Sequence, residues 1–177
     1  GFHMYNKILK EALDEERGIK KNVSIPVVSS GFDSGLPENY VPLLEDRLYF
    51  YQSLALADSI KKIKDAEEAL LDRFGPHPPD TVFLLEISKI RVLLTNTSVK
   101  KLVLRKNNLV FTVRSFHPFS SAVAFVGAIL TLFNVTDENL SLKNNKDKNV
   151  SVSVEGTPVG YSSIKKISGL LESLFLK

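Results

Sequence analysis

Three carboxylates, Asp65, Glu68 and Asp72, follow Lys61 at helical spacing within the stretch Ile60 to Phe74. Positions i, i+3 and i+7 of a helix stack on one face, so these charges project together. Grouped acids can serve general acid–base chemistry, form a solvated polar face, or offer a charged surface to a basic partner. Asp72 precedes Arg73 and lies close before His77, which allows a hydrolytic reading with Asp72 and His77 as an acid–base pair. No nucleophile is marked beside them, and the helix stop between them does not oblige them to face each other.

A second constellation is basic. Lys100, Lys101, Arg105, Lys106 and Arg114 cluster with Phe111 and Phe116 interleaved, a composition able to grip a phosphate backbone. On alternating strands the same phenylalanines would face the core and the cations would only solubilise. At the level of sequence both readings stay open. The three histidines, His3, His77 and His117, lack ligand spacing, and His77 and His117 each precede a proline, so turn or cap roles are expected over metal binding. No phosphate loop, dinucleotide fingerprint, nucleophile elbow or HExxH is present, which leaves nucleotide chemistry and zinc hydrolysis without a sequence anchor. Cysteine is absent, so disulfides, thiolate catalysis and cysteine-based zinc sites are excluded.

The elements that must carry these residues follow from periodicity. Phe2, Tyr5, Leu9, Ala12 and Leu13 recur at helical spacing, and Gly18 is expected to end that helix. Asn22 to Val28 reads as a short extended segment held to a sheet edge by Pro26, and Ser29 to Pro42, with Gly31, Gly35 and Pro37, as an extended linker. Leu44 to Ala57 is a helix whose apolar stripe of Leu44, Leu48, Tyr51 and Ala55 is widened by Phe50 and Leu54, predicting burial on more than one side.

Asp58 or Ser59 can cap the helix Ile60 to Phe74, Gly75 suits a left-handed C′ position, and Pro76 forbids continuation. Pro78 and Pro79 then preset the first turn of a helix running to about Thr95, which makes an αα-hairpin with a stiff corner. After Ser98 the period changes. Lys100 to Arg105 and Asn108 to Arg114 read as a strand pair, the stretch after Pro118 to Phe133 as a helix, Leu140 to Lys143 and Val150 to Val154 as a second pair, and Tyr161 to Phe175 as a last helix. The predicted class is α+β: an N-terminal helical part with an αα-hairpin, then a small antiparallel sheet of four strands, ββα repeated twice, packed on helices.

Composition sets the outer bounds. At 177 residues, 44% hydrophobic and 24% charged, the chain can build one core, or two small ones. The longest apolar run, Ala122 to Phe133, is too short to span a membrane, and no signal peptide is read at the start, so a cytoplasmic protein is expected. The net charge of +3 is unevenly spread: Gly1 to Ser98 holds 12 basic and 15 acidic residues, while Val99 to Lys177 holds 11 and 5. The front is acidic and the back basic.

Several motifs occur in order: Gly1, Phe2 and Tyr5 as Gly-Phe-x-x-Tyr, Leu-Pro-Glu-Asn-Tyr-Val-Pro from Leu36 to Pro42, Arg47-Leu48 with Tyr51, Leu-Leu-Asp-Arg-Phe-Gly-Pro from Leu70 to Pro76, and Leu84-Leu-Glu-Ile. Together they resemble the C-terminal domain of the bacterial transcription-repair coupling factors, the Mfd family. The resemblance is closest from Leu36 to Arg91. It implies a non-catalytic regulatory domain over residues 44–177, with residues 1–43 joining it to a preceding translocase domain. It further implies that ATP and magnesium belong to the upstream motor, so no cofactor and no small-molecule substrate are expected for this stretch.

By the same resemblance the domain would dock on the N-terminal UvrA-binding module of its own protein and restrain it. The whole machine would engage RNA polymerase, UvrA and DNA. Asp72 stands where the family's docking face places an acid, Ala69 where other members can carry a second one, and Asp65, Glu68 and Arg73 complete the expected docking set. Tyr51-Gln52-Ser53 departs from the family's tendency to place basic residues after this tyrosine. The alternative drawn from the residues is an auxiliary nucleic-acid-binding domain using Lys100, Lys101, Arg105 and Lys106.

Overall fold

A computed structural model describes residues 2–19, 24–114, 120–147 and 149–176, with the backbone alone at 2, 3, 13, 16–19 and 120–122. The chain divides into two compact units, Gly1–Val23 with Asp33–Val92, and Ser24–Phe32 with Leu93–Lys177. This division follows charge: Ser24–Phe32 and Leu93–Ser98 carry no charged residue, so the first unit keeps the net −3 of the front half and the second the +6 of the back.

The first unit is helical: α1 (Phe2–Ile19), α2 (Leu44–Leu56), α3 (Ile60–Phe74) and most of α4 (Pro79–Leu94). Helix α1 runs through Gly18 to Ile19, so the expected glycine stop is not used. The core gathers Tyr5, Phe50, Tyr51, Leu54, Ile63, Leu70, Leu84 and Leu85, all at most 1% exposed. Helix α2 corrects its prediction: it buries Phe50, Tyr51, Leu54 and Ala55, while Leu44 and Leu48 are exposed. Its rotation is fixed by Tyr51, whose hydroxyl accepts a hydrogen bond from the Leu36 N–H at 2.8 Å while its ring meets Tyr5. Burial raises the Tyr51 pKa, an effect opposed by the Leu36 hydrogen bond and by Arg47.

The corner between α3 and α4 is built as its residues suggest, with one difference. Ser59 caps α3, its side chain accepting from the Lys62 N–H, and Asp58 instead pairs with Lys62 at 2.9 Å. Gly75 donates its N–H to the Leu71 carbonyl at 2.9 Å. Its φ of 82° is positive as expected, but its ψ of −161° is extended, so the chain leaves the helix through a conformation essentially restricted to glycine instead of a left-handed cap. The Tyr40 hydroxyl donates to the Gly75 carbonyl at 2.9 Å and lies 2.7 Å from His77 Nδ1. The motif from Leu36 to Pro42 thus braces both α2 and the corner.

The second unit is a five-stranded mixed sheet in the order β1-β2-β3-β5-β4: β1 (Val27–Ser30), β2 (Val99–Arg105), β3 (Asn108–Arg114), β4 (Leu140–Asn144) and β5 (Asn149–Glu155). Four antiparallel strands were expected; β1 adds a fifth, parallel to β2 with Val28 opposite Leu102. It starts directly after Pro26 and lies at the edge, where a proline costs no ladder bond. Helices α5 (Ser120–Phe133) and α6 (Ile164–Phe175) pack on each other.

Alternation assigns the two faces of the sheet. Leu102, Leu104, Leu109, Phe111, Val113, Val152 and Val154 are buried, and Phe111 meets Phe125 of α5 edge to face at 5.2 Å. On the opposite face Lys101, Arg105, Lys143 and Glu155 are exposed and Val103, Val110, Thr112 and Ser151 half-buried, and no helix of this unit covers it among the described residues. Among the described residues no helix is long and apolar enough to cross a membrane.

A candidate docking ridge on the third helix

Helix α3 is strongly two-sided. Ile63, Ala66 and Leu70 are buried, and diametrically opposite them Lys61, Asp65, Glu68 and Asp72 are exposed. The structure therefore brings the three predicted acids into one ridge. At its start Lys61 Nζ holds both Asp65 oxygens, at 3.1 and 2.8 Å. This hydrogen bond, then the charge of Asp65, raises the Lys61 pKa. Toward the C-terminal end the compensation runs out: Asp72 has no ion-pair or hydrogen-bond partner among the described residues.

Arg73, the fourth member of the predicted set, is turned away from the ridge. Its guanidinium pairs with Asp46 of α2 at 2.8 Å and lies 5.0 Å from the Phe74 ring centroid and 5.8 Å from that of Phe50. It ties α3 to α2, through an ion pair whose Arg73 side is half-exposed and whose separate contribution is small. Beside the ridge runs a shallow groove between α2 and α3, lined by Tyr49, Leu56, Lys62, Asp65 and Ala69. Tyr49 and Leu56 are more than half exposed there.

His77 does not join Asp72. It is engaged with Tyr40, whose pKa is raised by burial, while Asp72 points to solvent, so the acid–base pair considered from sequence is not assembled. His117 lies outside the described residues, as does the side chain of His3. Among the described residues no group of histidine, cysteine, aspartate or glutamate side chains is arranged to hold a metal.

The basic candidates separate. Lys101 and Arg105 are exposed on the open side of β2, Lys100 occupies an irregularity in the β2–β3 ladder and reaches Asp147 at 3.4 Å, and Lys106 sits in the two-residue turn closed by the Arg105–Asn108 pair. Phe111 belongs to the core, and Phe116 lies outside the described residues.

Two internal charges escaped the sequence reading. Lys89 Nζ stands 3.0 Å from both Glu67 and Glu86, and Arg91 Nη2 donates to the Leu54 and Ala57 carbonyls at 2.8 and 3.0 Å, closing the C-terminal end of α2. Burial by itself would lower the Lys89 pKa; the two carboxylates more than offset it, and the pKa is raised. The available signal was their position inside the otherwise apolar run of α4.

Fold and surface together define an α+β domain whose helical unit presents an acidic ridge and whose sheet unit carries a net positive charge. The chain belongs to the TRCF domain family, whose model matches residues 31–122. It is 34% identical over 95 residues to a transcription-repair-coupling factor of Staphylococcus aureus, covering 52% of this chain and 8% of that protein. To the Staphylococcus epidermidis factor it is 30% identical over 103 residues, 56% and 9% of the two chains. The chain therefore spans less than a tenth of these relatives. The crystal structure of a C-terminal domain of transcription-repair coupling factor shares the fold, with a TM-score of 0.59 at 19% identity over 85% of this chain and 93% of that one.

Proposed function

We propose that this domain is a non-catalytic docking and restraint module of a transcription-repair coupling factor, and that the α3 ridge is its docking face. The observation that carries this reading is the ridge itself: Asp65, Glu68 and Asp72 aligned on one exposed face, with Asp72 uncompensated among the described residues. A rigid corner braced by Tyr40 presents it. The complementary surface would be basic and would belong to the N-terminal UvrA-binding module of the same protein. Tyr49 and Leu56 would supply apolar contacts beside the charged pairs, the mixture typical of an interface that must open again.

In such a device the closed state hides the module's surface for UvrA, and engagement of RNA polymerase and DNA by the upstream, ATP-driven translocase releases it. The restraint can be no stronger than the difference in docking energy between the two states. Exposed charge pairs contribute about 0.2–1 kcal/mol each, so the contact is weak between separate pieces and effective when tethered.

Titration calorimetry of the 177-residue chain into the separately produced N-terminal module tests the reading. Asp72→Lys should weaken binding about tenfold, roughly 1.4 kcal/mol, and raised salt should weaken the parent further. Binding indifferent to Asp72→Lys and to salt would refute the ridge as the docking face.

A further inference from the structure

The open face of the second unit's sheet carries an arrangement that the docking reading does not use. In one register row Lys101 of β2 lies opposite Thr112 of β3, Thr112 opposite Ser151 of β5, and Ser151 opposite Lys143 of β4. A cation thus stands at each end of the stretch of this row that crosses β2, β3, β5 and β4, about 14 Å long at the usual strand spacing, and β1 places Val27 beyond Lys101. Between the two lysines Thr112 and Ser151 join hydroxyls at 3.0 Å. On the same face Arg114 of β3 lies to one side of this row, and Arg105 of β2 lies to the other, beyond Val103. Among the described residues, none of Lys101, Lys143, Arg105 and Arg114 has an ion-pair partner.

We propose that this face binds the phosphodiester backbone of nucleic acid without sequence preference. Free cations framing hydroxyl donors match phosphate oxygens, the contacts that position a protein on nucleic acid without reading its bases. Among the described residues the face carries no aromatic side chain to stack on bases, and its apolar residues, the exposed Val27 of β1 and the half-buried Val103 and Val110, are too few for the core of a protein interface. Glu155, the one acid on these strands, lies in the same row as Arg105, two strands away, and is hydrogen-bonded by the Asn108 amide between them. The surface differs from the basic cluster seen in sequence: Lys143 joins Lys101, Arg105 and Arg114 on it, while Lys100 is paired with Asp147 and Lys106 lies in the turn.

Fluorescence anisotropy of the 177-residue chain with a labelled 20-base-pair duplex and with one of its single strands, at salt from 50 to 200 mM, gives the test. Four phosphate contacts predict a loss of affinity across that range of about 150-fold for the duplex and about 50-fold for the single strand. Lys101→Gln with Lys143→Gln should cut the duplex figure to about 12-fold, whereas Lys165→Gln with Lys166→Gln, the same charge change on exposed positions of α6, should leave it at about 150-fold. Arg105→Gln with Arg114→Gln provides a second face variant should the first not fold, with the same expected reduction. Equal reductions by the face and α6 pairs would overturn the proposal, as would absence of binding at 50 mM salt, or competition by polyglutamate equal to that of DNA at matched charge.

Discussion

Lys89 holds its charge within 3.0 Å of two carboxylates, Glu67 and Glu86, on a side chain that is largely buried. Breaking such a group from one side leaves charge without compensation, so Lys89→Met should destabilise the first unit by about 2–3 kcal/mol in urea denaturation. The folded-state pKa is raised, so the contribution is complete below the ordinary lysine value of 10.5 and is lost as the pH rises through the folded value. The difference in stability between parent and Lys89→Met should therefore narrow above pH 10.5; a constant difference from pH 9 to pH 12 would contradict the assignment. Asp72 provides the contrast, since Asp72→Asn changes an exposed, unpartnered carboxylate and should move stability by less than about 0.5 kcal/mol. Phe74 lies between these cases. It packs on Tyr40 and Phe50 but is only partly buried, so Phe74→Ala should cost about 2–3 kcal/mol, below the range for a fully enclosed ring.

At the scale of elements, two glycines make opposite predictions from the same substitution. Gly75 has a φ of +82° with nothing within 4 Å of an added Cβ, so Gly75→Ala meets backbone strain alone and should cost about 1–2 kcal/mol. Gly127 sits inside α5 with equally open surroundings, so Gly127→Ala should gain about 0.5–1 kcal/mol by restricting the unfolded chain. Urea midpoints should fall for Gly75→Ala and rise for Gly127→Ala, and movement of either the other way would contradict its argument. Local signals of this kind made much of the fold legible: the serine cap, the glycine–proline stop, the two hairpins and the acidic ridge all follow from spacing within a few residues. What was not legible depends on distant partners. β1 finds β2 far along the chain, and a parallel pairing leaves no turn signature in sequence. The stripe of α2 included Leu44 and Leu48 because periodicity cannot see that Tyr51 must reach the Leu36 N–H. Arg73 looked like part of the ridge because its partner, Asp46, comes from another helix, and Lys143 was missed because only strand register brings it into line with Lys101.

At the scale of the whole chain, charge is divided between two compact units, −3 on the first and +6 on the second, and each unit builds its own proposed surface from that excess. The acidic ridge needs a basic partner, and the open sheet face needs a polyanion, so one ligand cannot satisfy both by charge complementarity. If the two surfaces work as separate sites, their variants should dissociate. Asp72→Lys should weaken binding to the N-terminal module about tenfold and leave the affinity for duplex DNA within about twofold; Lys101→Gln with Lys143→Gln should do the reverse. Both affinities fall with salt, so salt alone cannot distinguish the sites, and the comparison belongs at one fixed ionic strength. A single variant that reduces both affinities, while its urea midpoint matches the parent, would show that the ridge and the sheet face serve one common partner surface and that charge is not divided by function.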